Sequence, residues 1–371
     1  MYMSFRWFGP QDAVPLRHIR QIPLLRSVVS ALYDLAPGQV WPLERLQTLR
    51  AQAEAASLAW RVVESIPVPE SVKLGAPGRE RDIGTWLDSL RAVAAALGPA
   101  SPQQDGADWA GRSSPVVVTY NFMPVFDWTR SHLAQPLPDG STCLAYDAAA
   151  VARLDPLAGD RQLPGWLTNY APAELAGLLE AYRGIGQEAV FANLVYFLKA
   201  VCPEAERLGL RLALHPDDPP WPVFGLPRVV TGAKALRDLF KAVPSSANGL
   251  CLCSGSLGAS PDNDIVGLIR EFSDRLAFMH LRNVKLTGPR SFEESAHPSS
   301  CGSLDMAAIV AALVDSGFDG PARPDHGRMI WDETGKPGYG LYDRALGASY
   351  LTGLIEQAER QRRLSQLSPA G

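Results

Sequence analysis

The 371 residues are 46% hydrophobic and 20% charged, a globular make-up large enough to form a core without disulfides. A net charge of −4 and a pI near 5.9 argue against a basic nucleic-acid-binding face. The polar, aromatic start MYMSFRWFGPQD is not a secretory leader, no apolar run approaches the ~20 residues of a membrane span, and an odd number of cysteines, five, suits a reducing compartment, so a cytoplasmic protein is expected.

In chain order, strands are expected at 5–9, 27–32, 59–65, 116–122, 210–216, 250–256, 276–283 and 321–327. The later ones are short and rich in Val, Leu and Ala, as strands buried on both faces should be. Amphipathic or apolar helical stretches fall between most of them, at 43–57, 82–97, 188–208, 264–275 and 306–316, with Gly317 placed to end the last. Eight alternations of strand and helix predict a single α/β domain over 1–358, a closed (β/α)8 TIM barrel with its active site at the carboxyl ends of the strands. The alternative, an open doubly wound sheet, is weakened as a nucleotide binder by the lack of a G-x-G-x-x-G or Walker A sequence. Residues 98–115 read as a flexible surface loop. Residues 127–182 form a long lid-like excursion after strand four, and 359–371 read as a frayed tail.

Ligand-type residues stand at the ends of the last four strands: His215, Cys253, His280 and Asp325. Alone, each has an ordinary structural explanation. Brought together at one end of a barrel, two imidazoles, a thiolate and a carboxylate suit one divalent transition ion rather than magnesium. This chemistry leaves iron, manganese, cobalt and zinc open. Cys251, two residues before Cys253, reads as a small buried hydrophobe. Asp217, Asp218, Asp262 and Asp264 are candidates to accept N–H groups of the ligands. Other polar groups fall at the same face. Asn121, Arg282, His297 and Arg344 are candidate substrate-binding residues, since a guanidinium near a metal suits a carboxylate-bearing substrate. Tyr339 and His326 are candidate acid–base residues, and Glu64 ends the third strand.

The strings RWFGP, VVESIP, YNFMPVFDWTR, LHPDDPP, ANGLCLCSGS, HLRNV, RPDHG and PGYG occur along most of the chain. In them, and in their order, the sequence resembles the mannonate dehydratases of hexuronate breakdown. The resemblance implies a xylose-isomerase-like (β/α)8 fold and Mn²⁺ or Fe²⁺, one ion per subunit. It also implies conversion of D-mannonate to 2-keto-3-deoxy-D-gluconate and water. By motif position it places the metal ligands on His215, Cys253, His280 and Asp325, the catalytic tyrosine on Tyr339, and His326 beside the metal. The expected partner is a small-molecule sugar acid, with no nucleic acid and no membrane, and the expected assembly is a homodimer. The chain departs from the family pattern at Tyr33, Asp34, Pro69 and Arg328, where histidines are usual. Three rivals are a sugar or sugar-acid isomerase or epimerase on the same barrel, a metal-dependent nuclease, and a degenerate homologue that binds without turnover. Only dehydration yields a 2-keto-3-deoxy acid, so product analysis separates them.

Overall fold

The computed structural model describes residues 1–98, 114–158 and 170–367. Eight parallel strands close into a barrel: β1 (Tyr2–Arg6), β2 (Ser27–Ser30), β3 (Ala59–Glu64), β4 (Val116–Tyr120), β7 (Leu210–Leu214), β8 (Asn248–Cys253), β9 (Leu276–Leu281) and β12 (Pro321–Pro324). They stand in that cyclic order, with β12 returning to β1, so β4 and β12 face each other across the ring. Runs such as VVVTY and LCLC suit this position because both faces are covered, by helices outside and by packed side chains inside. One interior layer is built from Val29, Val62, Val117, Ala213, Cys251, Ala277 and Phe278. Cys251 is therefore the small buried hydrophobe expected. Two residues on, Cys253 points to the same interior at the next layer up, in register with His280 of β9.

The outer helices follow the apolar periodicity. Leu43–Ala55 buries Leu46, Leu49 and Ala53, and Gln187–Arg207 buries Val190, Leu194, Phe197 and Val201. Met306–Asp315 ends where Gly317, at φ 75°, donates its N–H to the Val314 carbonyl. Two boundaries differ from expectation. The helix expected at 264–275 stops at Glu271, and the last helix spans Tyr342–Leu367, so residues 359–367 are helical rather than a frayed tail. Of the expected surface loop, 99–113 lie outside the described residues.

A second sheet was not expected. Four antiparallel strands lie in the order β10 (Val284–Gly288), β11 (Ser291–Glu294), β6 (Thr142–Tyr146) and β5 (His132–Pro136). Part of the 127–182 excursion is thus a hairpin paired with another that follows β9; its residues 159–169 lie outside the described ones. The accessory sheet is fastened to the barrel mouth. Thr142 and Met329 exchange backbone hydrogen bonds of 3.1 and 2.8 Å, and Arg328 bridges Asp139 (2.7 Å) and Asp343 (2.9 Å). No helix among the described residues is long and apolar enough to cross a membrane.

Candidate metal centre and active site

The carboxyl ends of the strands carry the polar residues, and three ligand candidates meet there. Donor atoms of His215, Cys253 and His280 all lie within 4.8 Å of one another. His215 Nε2 and His280 Nδ1 are 3.2 Å apart. Asp325 reaches Cys253 Sγ through Oδ2 and His280 Nδ1 through Oδ1, each at 3.6 Å. The thiol also accepts the Ser256 N–H at 3.4 Å.

The outer ring nitrogens decide what the inner ones offer. His215 Nδ1 lies 2.7 Å from the Pro216 carbonyl, which needs an N–H there. His280 Nε2 lies 3.4 Å from Glu64 Oε1 and accepts the Arg323 Nε–H at 3.2 Å. The inner nitrogens, His215 Nε2 and His280 Nδ1, lie 3.2 Å apart. Adjacent ligands on an ion with bonds of about 2.0–2.1 Å stand roughly 3.3 Å apart. Two imidazoles and a thiol gathered this closely, with Asp325 beside them, suit a divalent metal, with the Pro216 carbonyl holding one imidazole and Glu64 and Arg323 flanking the other.

Around this group runs a cavity lined by Asn121, Asp127, Trp128, Asp218, His326 and Tyr339, among others. His326 Nε2 lies 2.8 Å from the Tyr339 hydroxyl, and its Nδ1 lies 3.0 Å from Glu294 Oε1 on the accessory sheet. Burial raises the Tyr339 pKa, Asp325 and Glu64 add to the rise, and Arg6 and Arg323 oppose it. The phenol therefore keeps its proton at neutral pH. Burial alone would also raise Glu294, but Arg282, His326 and Arg130 outweigh it and bring it down to about 2. Burial likewise opposes ionisation of Asp325, yet Arg323, His326, His280 and Arg282 hold it well below the usual carboxylate range. Asp127 moves the other way: burial pushes it up, and His215, Lys73 and Arg6 offset only part of that.

The expected substrate-binding residues divide. Asn121 lines the cavity, with its amide nitrogen donating to Asp127 and its oxygen accepting the Met123 N–H at 3.1 Å. Arg282 also reaches the cavity, but its nitrogens serve Asp218 (2.9 Å), Asp325 (3.2 Å) and Ser256 (3.2 Å). It holds the site's carboxylates in place. Arg344 is not part of the wall. It lies wholly buried over the Phe5 ring and donates to the Gly340, Arg6 and Tyr339 carbonyls, so it braces the turn that presents Tyr339. His297 is likewise buried away from the cavity, against Gly347 of the last helix. None of the four aspartates proposed to steady the ligands does so. Asp217 accepts the Val229 and Val230 N–H groups, Asp218 pairs with Arg130 and Arg282, and Asp262 and Asp264 are exposed.

Several residues of the site escaped the sequence reading. Arg6 and Arg323 both clasp Glu64, at 2.8 and 3.0 Å, and Arg323 also binds Asp325 at 2.7 Å. Arg130 joins Asp218 to Glu294, each at 2.8 Å. Arg6 closes β1 and Arg323 lies within β12, where an arginine carries no ligand-type mark in the sequence, and Glu294 and Arg130 depend on the accessory sheet.

A family model described as D-mannonate dehydratase (UxuA) matches residues 1–365. Mannonate dehydratase 2 of Halalkalibacterium halodurans is 49% identical over 358 residues, 96% of this chain and 99% of the relative. The chain belongs to the D-mannonate dehydratase family. The crystal structure of the mannonate dehydratase from Streptococcus suis serotype 2 superposes with a TM-score of 0.86 at 44% identity, covering 98% of this chain and 96% of that one. A xylose isomerase domain protein from Planctomyces limnophilus shares the fold alone, with a TM-score of 0.53 at 12% identity over 97% of this chain and 98% of that one. The expected (β/α)8 barrel of the xylose-isomerase-like kind is thus the architecture found, and the family resemblance of the sequence motifs holds over the whole chain.

Proposed function

We propose that the protein is a hydro-lyase that converts D-mannonate to 2-keto-3-deoxy-D-gluconate and water, with Mn²⁺ or Fe²⁺ held by His215, Cys253, His280 and Asp325. One observation carries this reading. The Tyr339–His326 hydrogen bond and the two imidazoles of the His215–Cys253–His280 donor group open onto one cavity at the barrel mouth, within a chain of the D-mannonate dehydratase family.

The reaction breaks C2–H and C3–O. Its difficulty is that charge develops beside an already anionic carboxylate. A bound divalent ion supplies Lewis-acid neutralisation of that charge, worth several kcal/mol. The chain's own residues do the rest. Tyr339, protonated and hydrogen-bonded to His326, suits proton delivery to the departing C3 hydroxyl. His326 is oriented by Glu294 and can restore the phenol proton through Nε2. Asn121 presents polar groups to the sugar acid, while Arg282 and Arg323 keep Asp325 ionised and aimed at the donor group. A soluble cytoplasmic homodimer acting on a free sugar acid, without nucleic acid or membrane, agrees with this chemistry.

The test is a panel of aldonates offered to protein purified with Mn²⁺ or Fe²⁺. D-mannonate should give a 2-keto-3-deoxy acid. Recovery of an epimer or a ketose isomer would replace the dehydratase by the isomerase reading, and no turnover of any aldonate would leave a binding protein.

A further inference from the structure

Four carboxylates line the cavity: Glu64, Asp127, Asp218 and Asp325. Three are committed to guanidinium groups. Glu64 pairs with Arg6 and Arg323, Asp218 with Arg130 and Arg282, and Asp325 with Arg323 and Arg282. Asp127 alone among these four has no ion pair within the described residues; its side-chain hydrogen bond comes from the neutral amide of Asn121. A carboxylate kept in an enclosed polar cavity without a counter-charge costs stability, and such groups concentrate where a proton must be moved.

Its position is equally informative. Asp127 follows β4 and His326 and Tyr339 follow β12, and the segment that carries Asp127 reaches their end of the cavity, where Trp128 packs 5.6 Å from the His326 ring. Among the charged groups that act on Asp127 are His215 and Glu64, and Arg6 and Lys336, which lie over the Tyr339 ring. Elimination needs one group for the carbon-bound proton and another for the leaving hydroxyl, and Asp127 and the Tyr339–His326 pair line one cavity.

We propose that Asp127 is a further catalytic residue, the base that removes the C2 proton in the cavity it shares with the Tyr339–His326 pair. This rests on the dehydratase reading above. The C2–H electrons form the C2=C3 bond as C3–O breaks; the C2 proton ends on Asp127, and the hydroxyl leaves with the Tyr339 proton as water. The enol then gains a proton at C3 and loses one from its C2 hydroxyl. Return of the Asp127 proton through solvent and His326 to the phenolate resets the site, so protons balance.

D127N retains the shape and the acceptor oxygen that Asn121 needs, so an anchoring role would survive it. As a base it fails: kcat on D-mannonate should drop roughly 10²–10⁴-fold, with KM and metal content near those of the parent. D127A should show the same loss and regain activity when formate is added, because a diffusing carboxylate replaces the missing one. A D127N kcat within threefold of the parent overturns the proposal, and so does a D127A variant that binds metal but ignores formate. Should D127N not fold, the formate response of D127A decides alone; should neither fold, Asp127 is structural and the proposal falls. A parent enzyme that forms no 2-keto-3-deoxy acid sinks the dehydratase reading itself, whereas an active parent with an active D127N sinks only the assignment of Asp127.

Discussion

Arg130 offers the sharpest stability test. Its guanidinium is fully buried and meets Asp218 at 2.8 and 3.0 Å and Glu294 at 2.8 Å, both carboxylates being almost wholly shielded from solvent. Arg130→Met keeps much of the volume but removes one of the two guanidinium groups each carboxylate faces, leaving Arg282 to serve both. Breaking one side of a buried ion pair costs about 3–5 kcal/mol. Because Arg282 still compensates in part, the two losses together should stay within that range, a large share of the roughly 5–15 kcal/mol that holds a domain folded. The pH dependence follows from Glu294, whose folded pKa lies at about 2 against an ordinary 4.5. A carboxylate depressed by folding stabilises above its unfolded pKa, and that contribution is lost as pH falls through the folded value. Without Arg130 the folded pKa rises toward 4.5, so the variant's deficit should be greatest near neutrality and shrink toward pH 2–3. Urea unfolding of parent and variant at pH 7 and at the lowest pH where both remain folded measures this. A deficit below about 1 kcal/mol at pH 7, or one that does not diminish with acid, would refute the ion-pair argument.

Three further outcomes are expected. Tyr339→Phe should abolish turnover while metal content stays at the parental level, since the hydroxyl meets His326 and no ligand; near-normal activity would remove Tyr339 from the mechanism. Glu64→Gln disturbs the carboxylate beside His280 Nε2 and should weaken metal binding about 10–100-fold, measured by competition with a chelator; unchanged affinity would mean that Glu64 does not set the imidazole. Gly255→Ala should cost about 1–3 kcal/mol in urea unfolding and most of the activity, because a methyl there overlaps the Arg282 side chain that holds Asp218 and Asp325; full activity would show that Arg282 can shift freely.

The barrel was legible because its strands are short aliphatic runs buried on both faces, a pattern that local sequence carries by itself. Most expected strand ends nevertheless fell two or three residues too late: the polar residues closing each run, such as His215 and Asn283, belong to the mouth rather than the ladder. The accessory sheet was not legible. HLAQP has a half-exposed pattern and no apolar alternation, and the pairing of β11 with β6 joins segments far apart in sequence. The candidate metal ligands stood out by type and position, since His, Cys and Asp at consecutive strand ends have few other uses together. Arginines carry no such mark. Arg344 beside a turn and Arg323 inside a strand look alike on paper, yet one braces backbone carbonyls and the other clasps two carboxylates of the site.

The same geometry explains why the family's usual histidines can be absent. Tyr33 stands behind the cavity wall, where its hydroxyl accepts from Arg6 Nε at 3.3 Å and its ring packs 4.8 Å from Phe8. Pro69 opens the short helix Glu70–Leu74, and Asp34 forms an exposed pair with Arg45. Arg328 ties the accessory hairpin to the last helix through Asp139 and Asp343. None of these four positions lines the cavity, whereas His215, His280, Asp325, His326 and Tyr339 all do. A degenerate barrel would be expected to lose the groups that face the substrate first, because nothing else depends on the uncompensated charge or strain they impose. Here the replacements lie behind the wall, and the hydrogen-bonded Tyr339–His326 pair remains on it. That distribution favours a working catalyst over a relic.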